Sequence, residues 1–354
     1  MAIVVPKEEA MNLTLVPSPV WPTQPASSSA APTRMAWYAA VARMAPSKHN
    51  TQPWRFVVCG SSLEVWSDPR RMLPETDPHH RELIISCGAA VHLACVAARA
   101  LGHQPAVTML PDGSGGCLAR LVEVGPWEIS ERDRELLACI PTRRTDRGPL
   151  DGGALPTALP FLLQSAAAVE GASLRLVSTP GDRNTLVDLV ERADRLLVKR
   201  GQVGEELAGW LRAPGDPRKD GVPTDHTRGA AASYRAEFVQ RDFSTPGSRP
   251  AQDRAGIDRP VVGVLCTSND RPADWLVAGR ALGAVLLCAA AASAHASYLN
   301  QPVEESAIRN EMRSALSLTG HAQLVLRLGM GGRVEATPRR DANRVTFHTD
   351  GSAG

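Results

Sequence analysis

The stretch that decides the fold is residues 45–56, which read A-P-S-K-H-N-T-Q-P-W-R-F and are called the signature loop below. Its two prolines fix φ and remove backbone donors, while Ser, His, Asn and Gln side chains offer donors and acceptors within a few residues. A helix stop with an Asx turn would explain Pro46, Ser47 and Asn50 but not Gln52-Pro53-Trp54. A rigid polar loop of this kind suits recognition of a flat heterocycle with several hydrogen-bonding edges.

Around the loop, the hydrophobic pattern predicts an alternation of helices and strands. A helix is predicted before the loop and a β-hairpin after it, with Gly60-Ser61-Ser62 at the turn. A long helix of small residues should end at Gly102, where a left-handed cap is natural. The expected helices are 34–45, 81–101 and 128–140, and the expected strands are 56–59, 63–66, 106–110 and 118–124.

The second part of the chain repeats this order of elements. Residues 86–99 and 278–291 are both helices of small residues, each preceded by a polar loop and followed by an extended segment. The most membrane-like stretch, residues 281–299, is mainly alanine, carries His295 and directly follows Arg280, so we expect a buried core helix. The expected helices are 155–168, 183–199 and 275–296, and the expected strands are 174–178, 260–266 and 323–328.

Two segments stand outside the repeated plan. Residues 1–33 are rich in Pro, Ser, Ala and Thr without the charge and apolar pattern of a secretory signal, so we expect a surface tail. Residues 200–259, the insert, are crowded with Gly, Pro, Asp and Arg, and one helix is predicted around 230–241. Long loops of this kind are often lids or binding loops, although a solvated insertion is the alternative.

Composition narrows the class of protein. The 354 residues are 43% hydrophobic and 21% charged, which favours a globular protein over disorder or a polytopic membrane protein. With 39 basic and 37 acidic residues and no long run of like charge, neither nucleic acid nor a membrane is an expected partner. Seven cysteines without a C-x-x-C pair are read as buried thiols in a reducing, cytoplasmic compartment, and no metal site is expected.

The signature loop resembles the A-P-S-x-x-N-x-Q-P-W-x-F motif of the flavin-dependent nitroreductase family. Further segments strengthen the resemblance, and together they are similar to the Acg-type branch, in which two nitroreductase-like halves are fused in one chain. The resemblance covers roughly residues 34–349. The supporting segments are L-P-E-T-D-P at 73–78, R-E-L-I-I-S-C-G-A-A at 81–90, T-R-R-T-D-R at 142–147, L-G-M-G at 328–331 and T-P-R-R at 337–340.

This resemblance implies an α+β fold of the nitroreductase type, with central antiparallel or mixed sheets flanked by helices. The two halves would form an intramolecular pseudo-dimer, with the chain a monomer and higher oligomers left open. The boundaries implied are a tail at 1–33, a first half at 34–140 and a second half at 141–354 with a lid-like insertion at about 200–259. Because no second copy of the signature loop follows Arg143, one FMN is expected per chain.

The resemblance also assigns the cofactor contacts. The first half would offer Pro46, Ser47, His49, Asn50 and Gln52 to the isoalloxazine ring. The second half would offer Arg143, Thr145 and Arg147 to the phosphate, joined by Arg339 and Arg340. The backbone at Leu299 or Asn300 would face flavin N5. Guanidinium groups with a hydroxyl suit a phosphate dianion, although residues 143–147 alone would be read as a surface charge cluster.

The implied function is that of an FMN-dependent oxidoreductase in which NADPH or NADH reduces the flavin. A nitro, quinone or enone compound would then be reduced in a second half-reaction. No catalytic side chain is expected, since the flavin carries the chemistry. Two alternatives remain: an FMN storage protein whose flavin is covered, and a biosynthetic dehydrogenase or oxidase. The residues of the insert expected to cover the flavin are Tyr234, Phe238 and Phe243.

Overall fold

The computed structural model of the chain describes residues 21–113, 116–224, 237–241, 243, 258–332 and 334–349. Its first elements are α1 (Ala31–Ala42), β1 (Trp54–Cys59), β2 (Ser62–Ser67), α2 (Arg81–Ala100), β3 (His103–Met109), β4 (Cys117–Pro126), α3 (Glu131–Cys139), α4 (Leu159–Val169), β5 (Ser173–Leu176), α5 (Pro180–Lys199) and α6 (Gly201–Gly209). The later elements are β6 (Leu211–Arg212), β7 (Val222–Pro223), β8 (Val261–Thr267), α7 (Pro272–Ala291), β9 (His295–Tyr298), α8 (Gln301–Glu304), α9 (Ser306–Ala315), β10 (His321–Gly329) and β11 (Thr346–Thr349).

Two sheets flanked by helices organise the protein. The first has the strand order β11-β1-β2-β4-β3 and the second has the order β5-β8-β10-β9. Apart from β11, both sheets are antiparallel, and their strands follow one another in the same pattern along the chain. The strand β11 lies parallel to β1, so the C-terminal end of the chain completes the first sheet. The repeated element order expected from the sequence is therefore present.

The helices α2 and α7 cross at two glycines that admit no side chain. A Cβ on Gly279 would lie 2.0 Å from the carbonyl oxygen of Ile85, and a Cβ on Gly88 would lie 2.4 Å from that of Leu276. Small residues at this point let the two backbones approach closely. Each helix also enters the hydrophobic core of the other's sheet: Leu276 of α7 packs in the first core and Ile85 of α2 in the second.

Both helices are long and apolar enough to cross a membrane by length and composition, which is weak evidence for a span. In the most apolar 18-residue stretch of each helix, 94% of the residues of α2 and 61% of those of α7 are buried. They pack against each other and the sheets as core helices do. The expectation that the alanine-rich segment is a core helix is thus confirmed for the part that is helical.

The structure corrects the end of that helix. The prediction extended it to residue 296, but α7 ends at Ala291 and the chain turns through Ser293, whose φ is 56°. Residues 295–298 then form β9, which pairs with β10. Alanine's helical preference misled the prediction here, because pairing with a buried neighbouring strand outweighs intrinsic propensity.

Other elements agree with the predictions or were missed. The hairpin of β1 and β2 and the left-handed glycine at 102, with φ 90°, are confirmed. The insert contains α6 and the short parallel pair β6 and β7, which were not predicted from its composition.

Of the helix predicted around 230–241, residues 237–241 are not helical and 230–236 lie outside the described residues. In the N-terminal segment, Trp21 packs against the first core, as a tail that wraps the surface would.

Candidate functional site

A cavity of about 540 Å³ opens where the signature loop meets the second sheet. This volume lies within the range of small-molecule and cofactor sites. Its apolar wall comes from Met44, Ile85, Ile140, Leu282 and Leu324. Its polar lining includes Ser47, Lys48, His49, Asn50, Glu82, Arg143, Arg144, Thr145, Arg147, Arg241, Tyr298, Asn300, Glu304 and Arg339.

The signature loop is held in an uncommon backbone conformation at the cavity edge. His49, Asn50 and Gln52 have φ values of 48°, 53° and 52°, a left-handed region that side-chain-bearing residues seldom adopt. The hydroxyl of Ser47 accepts a 2.9 Å hydrogen bond from the Gln52 amide, which helps fix the loop. Strain of this kind persists only where surrounding contacts enforce it, and it is common at ligand sites.

The amide side chains of the loop are occupied by partners within the protein, among them the Arg339 guanidinium, whose Nη1 donates to Oδ1 of Asn50 at 3.0 Å. Asn50 lines the cavity, but its Nδ2 donates to the carbonyls of Gly221 at 3.0 Å and Pro338 at 3.1 Å. Gln52 is fully buried and does not line the cavity. Its Nε2 donates to the Lys219 carbonyl at 2.8 Å, and its Oε1 accepts from the Arg340 amide at 2.8 Å. Gln52 therefore joins the insert and the C-terminal segment to the loop, which corrects its expected position on the ring.

The arginine segment, residues 143–147, runs alongside β9. Thr145 forms a parallel bridge with Ala296, and the Asp146 amide donates to the Ala296 carbonyl at 2.8 Å. Arg143, Arg144, Thr145 and Arg147 all line the cavity, and Asp146 does not. The structure thus brings all three predicted residues of this segment together with Pro46, Ser47, His49 and Asn50 of the signature loop.

One end of the cavity concentrates positive charge. Arg143 is buried, and its Nε and Nη1 have no hydrogen-bond partner among the described residues. Burial and the proximity of Arg143, Arg43 and Arg144 lower the pKa of Arg339 to about 9. Burial also lowers the pKa of Arg147 to about 10. The guanidinium groups lie close enough to disfavour one another's positive charge, and Arg143 has unpaired donors. An anion bound between them would balance the charge and accept those hydrogen bonds.

Besides Gln52, two predicted residues do not line the cavity. Leu299 is fully buried in the core, and its amide donates to the Val325 carbonyl at 2.9 Å, so that N–H does not point into the cavity. Arg340 does not line the cavity, because its Nη1 donates to the Gln52 carbonyl at 3.2 Å and its Nη2 donates to that of Arg344 at 3.2 Å. Asn300 and Arg339, their neighbours in the sequence, are the ones that line it.

Tyr298 and Arg144 line the cavity although neither was predicted there. Burial raises the pKa of Tyr298, and Arg143, Arg147 and Arg339 oppose that rise, so its hydroxyl lies near the positive end. The signal for Tyr298 was its place beside the predicted turn at 299–300. No pattern in the sequence indicated that the tyrosine would face the arginines, because that depends on the pairing of β9 with β10.

At the Lys48 side of the cavity lies a buried network of ion pairs that the sequence did not reveal. Lys48 pairs with Glu82 of α2, and its Nζ lies 3.2 Å from Oε1 of Glu304. Arg241 of the insert bonds the other oxygen of Glu304 at 2.5 Å. Burial and the nearby cations Lys48 and Arg241 lower the pKa of His49 well below its usual value, which keeps the imidazole neutral. Its Nε2 is buried without a hydrogen-bond partner among the described residues.

The described part of the insert covers this region. Phe238 and Phe243 both line the cavity, and Tyr234 lies outside the described residues. The ring of Phe243 meets the imidazole of His49 edge to face at 6.2 Å between centroids. The guanidinium of Arg147 lies 4.7 Å from the centroid of the same ring. Phe243 thus touches one residue of the signature loop and one of the arginine segment.

The cavity therefore combines an anion-binding end, an apolar wall and polar groups along its edges. This arrangement suits a flat ring system attached to a phosphate. Within the described ranges, no three His, Cys, Asp or Glu side chains gather into a cluster that could hold a metal ion.

Comparison with known proteins gives the family. No protein-family model matches the chain. A protein of Mycobacterium tuberculosis named "Putative NAD(P)H nitroreductase" is 33% identical over 311 residues, 85% of this chain and 87% of that protein. Another from the same organism, named "Putative NAD(P)H nitroreductase acg", is 30% identical over 315 residues, 86% of this chain and 92% of its own length. With similarity over most of both chains, this protein belongs to the Acg-type branch of the nitroreductase family.

Proposed function

We propose that the chain binds FMN in this cavity and works as an NAD(P)H-dependent oxidoreductase. The observation that carries the proposal is Arg143, a buried guanidinium at the cavity wall with two donors unpaired among the described residues. An unsatisfied buried donor costs about 1–3 kcal/mol, more when charged, and a phosphate dianion would remove that cost. The names of the relatives support a nicotinamide reductant.

The residues that line the cavity can be assigned to the two parts of FMN. Arg143 and the hydroxyl of Thr145 would hold the phosphate, and Arg339, whose Nη1 and Nη2 donate to groups of the protein, would add its positive charge. Pro46, Ser47 and the neutral imidazole of His49 would border the ring, with Ile85 of α2 and Leu282 of α7 as apolar wall. When bound, FMN supplies a ring that accepts hydride at N5 and passes it on to a second substrate. The protein's contribution is then orientation, exclusion of water and electrostatics.

The internal symmetry supports an intramolecular pseudo-dimer. Gly88 and Gly279 meet each other at the α2–α7 crossing. Each glycine faces the carbonyl of the residue three positions before the other glycine, Leu276 for Gly88 and Ile85 for Gly279. Ser86 accepts a hydrogen bond from the Lys48 amide in the signature loop. Its counterpart in α7 is Val277, which lies against Gly171 after α4. The loops that follow α1 and α4 therefore occupy corresponding places on α2 and α7.

The corresponding place in the second half differs chemically. Glu170, which follows α4 as Arg43 follows α1, has a side chain that is 8% exposed and pairs with His92 at 2.9 Å and Arg280 at 2.7 Å. The charges there are paired within the protein, although His92 Nε2 and Arg280 Nε have no hydrogen-bond partner among the described residues. This contrast supports one FMN per chain, in a protein that we also propose to work in the cytoplasm as a monomer.

The absorption spectrum of the purified protein tests the cofactor, and titration of the FMN-free chain tests the number of sites. We expect a flavin spectrum and saturation at one FMN per polypeptide. Saturation at two would contradict the pseudo-dimer with a single site. A protein that does not retain FMN under conditions where it is folded would contradict the proposed function.

A covered flavin would fit a storage protein better than an enzyme, and the position of Phe238, Phe243 and Arg241 in the cavity lining favours this second candidate. Anaerobic mixing with NADPH and with NADH separates the two. Rapid bleaching of the flavin, followed by reoxidation with a nitro, quinone or enone compound, supports the oxidoreductase. Bleaching by dithionite but not by either nicotinamide supports storage.

A further inference from the structure

We propose that Glu304 is a positioning residue that serves as counter-ion to two parts of the site at once: Lys48 of the signature loop and Arg241 of the insert. Through this pair of contacts it holds the insert against the cavity and sets the charge beside the bound ring. The effect on the ring rests on the proposed function, whereas the anchoring of the insert does not.

Each carboxylate oxygen of Glu304 contacts a different cation. Glu304 ends α8 with a side chain that is 2% exposed. Its Oε1 lies 3.2 Å from Nζ of Lys48, and its Oε2 lies 2.5 Å from Nη2 of Arg241. Although burial alone would raise the pKa of Glu304, Arg241 and Lys48 lower it to about 2, so the group stays ionised. A buried charge left without a partner is costly, which makes each contact depend on this carboxylate.

A second contact joins the same helix to the insert. Gln301, at the start of α8, donates from Nε2 to the carbonyl of Val239 at 3.3 Å. Val303, between the two, is buried in the core and fixes α8 against the second sheet. Residues 239–241 are therefore attached to α8 at two points one turn apart. Phe243, two residues after Arg241, lies in the cavity lining.

The ion pairs around Lys48 balance only with Arg241 in place. Among the described residues, the directly paired groups are two cations, Lys48 and Arg241, and two carboxylates, Glu82 and Glu304. Neutralising Glu304 leaves an excess of positive charge beside the cavity, and neutralising Arg241 leaves an excess of negative charge. Since a reduced flavin carries more negative charge than an oxidised one, these two changes should act on it with opposite signs.

Anchoring is tested by chymotrypsin cleavage after Phe243 in the full chain, followed by mass spectrometry. We expect Glu304→Gln and Arg241→Gln each to be cleaved at least tenfold faster than wild type. Glu311→Gln is the matched control, because Glu311 is an exposed glutamate of α9 paired with Arg192 at 2.7 Å. It should cleave at the wild-type rate. Equal rates in all four proteins would overturn the anchoring role, and Arg241→Gln alone decides it if Glu304→Gln does not fold, since it leaves Glu304 paired with Lys48.

The charge effect is tested by the midpoint potential of the bound flavin. We expect a rise in Glu304→Gln, a fall in Arg241→Gln and no shift in Glu311→Gln. A merely structural loss of cover would move both variants in the same direction, and that result, or no shift in either, would overturn the electrostatic role. A wild-type chain that holds no flavin would refute the proposed function instead, while the cleavage rates would still decide the anchoring.

Discussion

Asp146 Oδ2 lies 3.0 Å from Nδ1 of His295, in a contact between the arginine segment and β9 that does not border the cavity. Asp146 is 1% exposed, and its Oδ1 also accepts from the Gly148 amide at 2.8 Å. Because the amide and the carboxylate of Asp146 both bond β9, Asp146 fixes the backbone from which Arg143 and Arg147 reach the cavity. The orientation of the proposed phosphate site thus depends on a residue that touches no ligand.

Replacing Asp146 with Ala should therefore lower the free energy of unfolding by about 1–3 kcal/mol, since it removes hydrogen bonds to a buried charged group. FMN affinity should fall as well. Urea denaturation and FMN titration measure the two effects. Asp182→Ala is the control, because Asp182 pairs with Arg175 at a more exposed position. An affinity equal to wild type would refute the orienting role.

The double variant Arg143→Ala/Arg147→Ala should lose FMN, because each charge-assisted bond to phosphate contributes about 1.5–3 kcal/mol. Fluorescence of released flavin after gel filtration measures the loss. The matched control is Arg192→Ala/Arg195→Ala, which removes two exposed arginines of α5. A double variant as yellow as wild type would show the phosphate assignment to be wrong.

The single variant Arg143→Ala gives a sharper result. In the FMN-free protein it removes a buried cation with unpaired donors, so the free energy of unfolding should stay unchanged or rise. In the FMN-bound protein it should fall. Thermal unfolding with and without excess FMN measures both values. A drop of similar size in both states would mean that Arg143 is a structural residue rather than a ligand contact.

The α2–α7 crossing should tolerate no side chain. Gly279→Ala would place a Cβ 2.0 Å from the Ile85 carbonyl oxygen, and overpacking of this kind costs about 1–3 kcal/mol or more. Gly204→Ala, in α6, is the control, because its Cβ would meet nothing within 4 Å. That change should stabilise the protein by about 0.5–1 kcal/mol. Urea denaturation compares them, and a neutral Gly279→Ala would contradict the packing described.

Acid should weaken the cluster around Glu170. Burial alone would raise the pKa of Glu170, but His92 and Arg280 lower it to about 2. A carboxyl group with a depressed pKa stabilises the folded state above its unfolded pKa of about 4.3, and this contribution is lost as the pH falls towards 2. Glu170→Gln should be less stable than wild type at pH 7, by about 3 kcal/mol at most. Denaturation at a series of pH values should show that difference shrinking between pH 4.5 and 2, and a constant difference would contradict the assignment.

The sequence by itself determined the features that depend on local order. The prolines and polar residues of the signature loop marked a site between a helix and a hairpin, and hydrophobic periodicity located most helices and strands. The arginines at 143–147 stood out as a local cluster of charge, although by themselves they would be read as a surface cluster.

Tertiary structure decided which polar groups meet. Lys48, Glu82, Arg241 and Glu304 come from four distant parts of the chain, and no periodicity relates them. Gln52 was expected on the ligand, yet backbone carbonyl and amide groups brought in by the insert and the C-terminal segment take up its side-chain amide. A buried polar group bonds whichever partner the packing supplies. The sequence identifies the polar side chains that could bind a ligand. Only the folded chain determines which of them still have donors or acceptors that are not bonded within the protein.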